Sequence, residues 1–308
     1  MLAQILAWTV PAGAAAALAI HRSYNGFDSA VFVHFGQVLL SSHWDRAFSH
    51  SDIQVGPLQL AFYGWLAHAN ERIALVLGVG TALLVAAAAR VAGVRNAAVL
   101  GGVGLLAVVT GVTRVGYSTG HPADAVLPLI WIIAGDQARR DHRWRAGLLV
   151  GLCAGLETWG ILGVAVFAFA PRLRDAAVST LVAGFTALAL FVPFMLGGHF
   201  EMLSFAWQVT PPSPLSMLVP EHTHFGWPLR LVQALVAVSA GILVVRLLRH
   251  SPHALWTAPL AIVTARLLLD PLLYWYYLAA PKALLLVGAS VAAARWTRVR
   301  STHRESFA

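Results

Sequence analysis

Residues 146–170 read AGLLVGLCAGLETWGILGVAVFAFA, twenty-five residues carrying one charge, Glu157. Length alone would allow a single membrane crossing, because a bilayer core of about 30 Å needs roughly 20 apolar residues in a helix. The flanks argue for something else. Arg139, Arg140, Arg143 and Arg145 precede the stretch and Arg172 and Arg174 follow it, and membrane proteins gather arginine on the cytoplasmic side. Equal basic flanks predict a hairpin of two short helices that enters and returns, with Glu157 at its tip.

Outward from this hairpin, apolar runs predict spans near 3–20, 72–90, 97–113, 123–135, 176–196, 227–248, 254–270 and 278–294. The runs lack period-two alternation, which argues against a barrel and for helices. The expected fold is all-α and polytopic: eight full crossings plus the hairpin, about ten membrane helices in one transmembrane domain, 1–308, without internal repeats. Residues 1–20 have no basic side chain ahead of their apolar run, so they read as a first span rather than a signal peptide. With the hairpin in place, Arg90, Arg95, both flanking clusters, Arg246, Arg249 and the basic tail at 295–308 all fall on the cytoplasmic side. Both termini fall there too. Asp28, Asp45, Asp52, Glu71, Asp124, Glu201, Glu221 and Asp270 fall on the outer side. The expected location is the plasma membrane, with the polar chemistry extracytoplasmic.

Composition narrows the function. The chain is 58% hydrophobic and 11% charged, and its 21 Lys plus Arg against 13 Asp plus Glu sort by loop instead of forming one patch, which excludes a nucleic-acid surface. The single cysteine, Cys153, rules out a disulfide framework. The absence of a Walker or dinucleotide glycine motif argues against a bound nucleotide. HWDRAFSHSD at 43–52 reads as a solvated loop, since scattered His and Asp lack the convergence a metal needs. No cofactor is expected, and no motif supports a divalent cation.

Two outer loops, 21–56 and 197–226, exceed what connection requires, and long loops usually carry function. In the first, Asp28–Leu40 sets Val31, Phe35, Val38 and Leu39 on one face and Ser29, His34 and Gln37 on the other, which predicts a helix at the interface. In the second, TPPSP at 210–214 opposes regular structure. Asp28 can cap its helix, and a carboxylate at the bilayer boundary can also deprotonate a hydroxyl beside a lipid-linked donor. Glu157 lies within the apolar hairpin, where a carboxylate costs about 2–3 kcal/mol or more unless it faces a cavity or partner. It is expected to bind sugar hydroxyls beside an aromatic wall, Trp159. TRVGYSTGHPAD at 113–124 gathers Arg114, His121 and Asp124 in an outer turn. Late in the chain, TARLLLDPLLYWYYLAAPKALLL at 264–286 carries an aromatic belt of Tyr274, Trp275, Tyr276 and Tyr277. Within it, Arg266 and Lys282 each lie about a turn inside a span. Together with Arg230 they are expected to clamp a lipid phosphate.

Four stretches, FDSAVFVHFGQVLL, QVGPLQLAFYG, the arginine-flanked hairpin and DPLLYWYYLAAP, together resemble the GT-C membrane glycosyltransferases, and most of all the bacterial polyprenyl-phosphate-mannose-dependent mannosyltransferases. The resemblance implies a polyprenyl-phosphate sugar donor, a glycolipid or glycan acceptor, inversion at the anomeric carbon and an outward-facing site. It gives Asp28 the role of general base. Arg266, Lys282 and Arg230 would then hold the donor phosphate, and Glu157, Trp159, His121, Asp124 and Tyr276 the sugar or acceptor. The competing expectation is a transporter or lipid flippase in which Glu157 and Arg266 are intramembrane substrate groups.

Overall fold

The computed structural model describes residues 1–21, 26–66 and 70–305, without the side chains of Phe27, Asn70, Glu71 and residues 298–305. The side chains of Glu71 on the outer side and of the tail's Arg298, Arg300 and Arg304 therefore lie outside what is described. In chain order the elements are α1 (Leu2–Ile20), α2 (Phe27–Leu39), α3 (Pro57–Leu66), α4 (Asn70–Val91), α5 (Ala97–Val109), α6 (Val112–Thr119), α7 (Ala123–Arg139), α8 (Arg143–Leu156), α9 (Leu173–Leu196), β1 (Trp207–Gln208), β2 (His224–Phe225), α10 (Trp227–Leu248), α11 (Ala254–Leu268) and α12 (Ala279–Glu305). Short 3₁₀ turns punctuate the loops, and β1 pairs antiparallel with β2.

Six segments are long and apolar enough to cross a bilayer: Leu2–Ile20, Arg72–Val91, Ala97–Thr119, Leu173–Leu196, Trp227–Leu248 and Trp275–Thr297. This is a multi-pass membrane protein. The expected spans at 123–135 and 254–270 form helices of 17 and 15 residues, short of the roughly 20 a crossing needs. The expected span at 97–113 is broken at Gly111, whose φ of 79° ends one helix and begins the next.

The 146–170 stretch does fold as two short antiparallel legs. The chain breaks at Glu157, which has extended backbone (φ −143°, ψ 145°). The second leg, Thr158–Phe169, is a 3₁₀ helix of 12 residues, long for a form that seldom exceeds 3–4 residues. At about 2.0 Å per residue it covers roughly 24 Å, close to the roughly 21 Å of the 14-residue α8 at 1.5 Å per residue. The stretched form lets a shorter leg match a longer one. Three of the six arginines that suggested the hairpin are paired near its first leg. Arg139 and Arg140 pair with buried Asp136, and Arg143 pairs with buried Asp175.

The main core gathers α4, α5, α7, α8, the 3₁₀ leg, α11 and α12 around fully buried Trp131. A second core lies within residues expected to be a surface loop. Phe48, Ile53 and Val55 pack there against Leu60 and Tyr63 of α3, a helix the sequence reading missed, and Phe194 of α9. By contrast α9 and α10 leave Leu181, Phe185, Leu188, Leu235 and Leu247 exposed, as expected of helices that face lipid.

Candidate functional site

The expected interfacial helix forms as α2, but it packs differently from the pattern read in the sequence. Its buried line is Ser29, Phe32 and Gly36, so Ser29 faces protein although it was assigned to the polar face. The reason is a close backbone crossing. A Cβ on Gly36 would strike the Leu60 carbonyl and the Gly64 backbone of α3, and only glycine at both positions lets the helices approach so closely. At the other end of α2, Ser29 presses on Gly120, whose φ of 92° closes α6 and turns the chain toward His121. Gln59 and Tyr63 of α3 hold that turn through bonds donated to the Gly120 carbonyl, both at 3.1 Å.

These contacts bring three residues remote in sequence into one chain of hydrogen bonds. His121 Nε2 is 3.1 Å from Asp28 Oδ2, and His121 Nδ1 is 3.2 Å from Glu157 Oε1. Glu157 is fixed in turn by an antiparallel bridge to Val55 and by the indole N–H of Trp159, which donates to its Oε2. Burial opposes a charge on His121, but the hydrogen bonds to Asp28 and Glu157, with the fields of Glu157 and Asp124, outweigh it and raise its pKa to about 10. At neutral pH the ring is an imidazolium that donates from both nitrogens. Tyr276 stacks on it, with centroids 5.0 Å apart and planes 7° apart. The Asp28 side chain remains 44% exposed, against 10% for Glu157, so the reachable carboxylate is Asp28.

All of these groups line one cavity of about 620 Å³. Another part of its wall is basic. Arg266, at the end of α11, lies 4.4 Å from the ring centre of Trp159 and 5.2 Å from that of Tyr277, with Asp270 Oδ2 at 3.4 Å from Nη2. Stacking on two rings and pairing with a carboxylate offset part of the cost of burying a guanidinium. Arg230 donates from Nη1 to Gln54 Oε1 at 2.9 Å, while its Nη2 is buried with no partner among the described residues. Asp124 is 1% exposed, and its Oδ2 likewise lacks a partner. Arg230 Nη2 and Asp124 Oδ2 are thus buried polar atoms of cavity-lining residues, without partners among the described residues.

Of the residues singled out from sequence, Asp28, His121, Asp124, Glu157, Trp159, Arg230, Arg266 and Tyr276 share this cavity. Lys282 does not. It lines a separate cavity with Arg114 and Trp275. Of the three cations expected together, Arg266 and Arg230 share the large cavity and Lys282 is separated from them. Sequence reading passed over Asp52 and Gln54, set aside within a loop, and Asp270, whose i, i+4 spacing from Arg266 was available as a signal. The second outer loop also contributes. Thr210 N–H donates to the Pro271 carbonyl at 3.1 Å and Ser213 Oγ to that of Asp270, which places Trp207 and Phe225 along the cavity wall.

Comparison with known protein families, with curated protein sequences and with solved structures returned no match to this chain.

Proposed function

We propose that the chain is a membrane glycosyltransferase of the GT-C type, with about ten membrane helices and both termini in the cytoplasm. It moves a sugar, mannose by the resemblance, from a polyprenyl phosphate to a hydroxyl of an envelope glycolipid or glycan on the outer face of the plasma membrane. The observation that carries this reading is the joining, in one cavity, of a half-exposed carboxylate held by an imidazolium and two guanidiniums set on aromatic rings.

In the reaction, Asp28 takes the proton of the acceptor hydroxyl as that oxygen bonds to the anomeric carbon. The bond from that carbon to the phosphate oxygen breaks with inversion, and the lipid phosphate leaves with the electron pair. Arg266 and Arg230 stabilise the charge that develops on it. His121 acts by position, holding Asp28 and Glu157 in fixed relation. Trp159 and Tyr276 supply flat apolar walls.

The test incubates purified protein with a radiolabelled polyprenyl-phosphate sugar and envelope lipids. Labelled acceptor is expected from the wild type and none from Asp28→Asn. Passage of intact donor across vesicles without any covalent product would replace this reading with a flippase.

A further inference from the structure

The cavity that receives Lys282 is formed between the α5–α6 turn and the start of α12, has a volume of about 270 Å³, and is walled by Trp275. Lys282 and Arg114 enter it from different elements, and both are exposed. Neither makes an ion pair among the described residues, and no carboxylate is among the described lining residues. Each cation also occupies the first turn of its helix, where the dipole disfavours positive charge. Snorkelling toward headgroups explains either residue alone. It does not explain why two cations converge on one cavity, where each raises the energy of the other.

An anion between them removes both penalties. The depth is suitable for a headgroup, since Arg114 and Lys282 lie near the ends of the crossing segments Ala97–Thr119 and Trp275–Thr297. Trp275 provides the amphipathic ring favoured at that level. We infer that this cavity binds the phosphate of an anionic phospholipid, with Lys282 and Arg114 as its ligands and Trp275 against the adjoining glycerol and acyl region. The lipid lies back to back with the main site, because Tyr274, Tyr276 and Tyr277 of the same short segment face the large cavity while Trp275 faces the small one. The assignment does not depend on the transferase reading.

The experiment places full-length protein in nanodiscs of phosphatidylcholine with or without phosphatidylglycerol, then counts the lipids that remain bound after release by native mass spectrometry. The wild type is expected to retain one phosphatidylglycerol that Lys282→Gln/Arg114→Gln loses, with affinity falling roughly fivefold per cation removed. Lys282→Arg should retain it. Equal retention by wild type and double variant overturns the site. So does stabilisation of the wild type in pure phosphatidylcholine by inorganic phosphate as large as that given by phosphatidylglycerol, since the occupant is then a soluble ion. Should the double variant fail to fold, Lys282→Gln, whose exposed side chain leaves packing intact, is read by the same two criteria.

Discussion

His121 Nε2 lies 3.1 Å from Asp28 Oδ2 although the two residues are 93 positions apart. Their meeting couples α2 to the turn that begins α7, and through Glu157 to the break between α8 and the 3₁₀ leg. Changes at any of the three are therefore expected to reach the others.

Asp28→Asn keeps the side-chain size and removes the base. Because Asp28 also holds the buried His121 imidazolium through a charge-assisted hydrogen bond, the variant should lose about 1.5–3 kcal/mol of stability, the usual contribution of a hydrogen bond to a charged group. Its transfer rate should fall by about 10²- to 10⁴-fold, the usual contribution of general-base catalysis. Radiometric turnover beside a thermal melt checks both, and full turnover would remove Asp28 from the mechanism.

The imidazolium also predicts a pH dependence. The pKa of His121 is raised from 6.5 to about 10 in the folded protein, so the folded state binds the proton more tightly than the unfolded state does. The stability this supplies is complete below about pH 6.5, declines above it, and is gone once pH passes about 10. The melting-temperature advantage of wild type over His121→Gln should shrink steadily across that window. A constant difference from pH 6 to 10.5 would mean that the ring is neutral in the fold.

Arg266→Ala leaves the Asp270 carboxylate buried without its cation. Loss of one partner of a buried pair typically costs about 3–5 kcal/mol, so a marked fall in melting temperature is expected. Arg266→Lys restores charge but loses the flat contact with Trp159 and Tyr277. It should recover much of the stability while KM for the lipid donor stays elevated. Equal donor KM in wild type and Arg266→Lys would show that the guanidinium does not contact donor phosphate.

Gly36→Ala tests whether backbone crossing positions the base. The added methyl meets the Leu60 carbonyl and Gly64 backbone of α3, and overpacking of this kind costs about 1–3 kcal/mol. Turnover should drop with Asp28 intact. Gly102→Ala, in α5 with nothing within 4 Å of its new Cβ, should be neutral or slightly stabilising, by up to about 1 kcal/mol of helix propensity. Loss of turnover in the second variant but not the first would contradict the packing account.

Much of the architecture could be read from local pattern. Hydropathy located the helices, and arginine flanks identified a 25-residue stretch as two legs rather than one. The reading faltered where local pattern is ambiguous. It took the residues around Phe48 as loop and gave those around Tyr63 no element, because their apolar partners lie on other elements, and it assigned Ser29 to solvent because a polar side chain says nothing about a neighbouring glycine. Nothing in the sequence signals that the second hairpin leg is 3₁₀, since both helical forms suit the same apolar run.

The sequence by itself determined a helical membrane protein and the residue types available for chemistry, because lipid compels internal hydrogen bonding and penalises stray charge wherever it occurs. Only the tertiary structure decided that His121 joins Asp28 to Glu157 and that Arg230, rather than Lys282, shares a cavity with Arg266. Hydropathy is a property of neighbours along the chain, whereas convergence depends on which helices approach. That is set by contacts between glycine backbones and turns tens of residues apart.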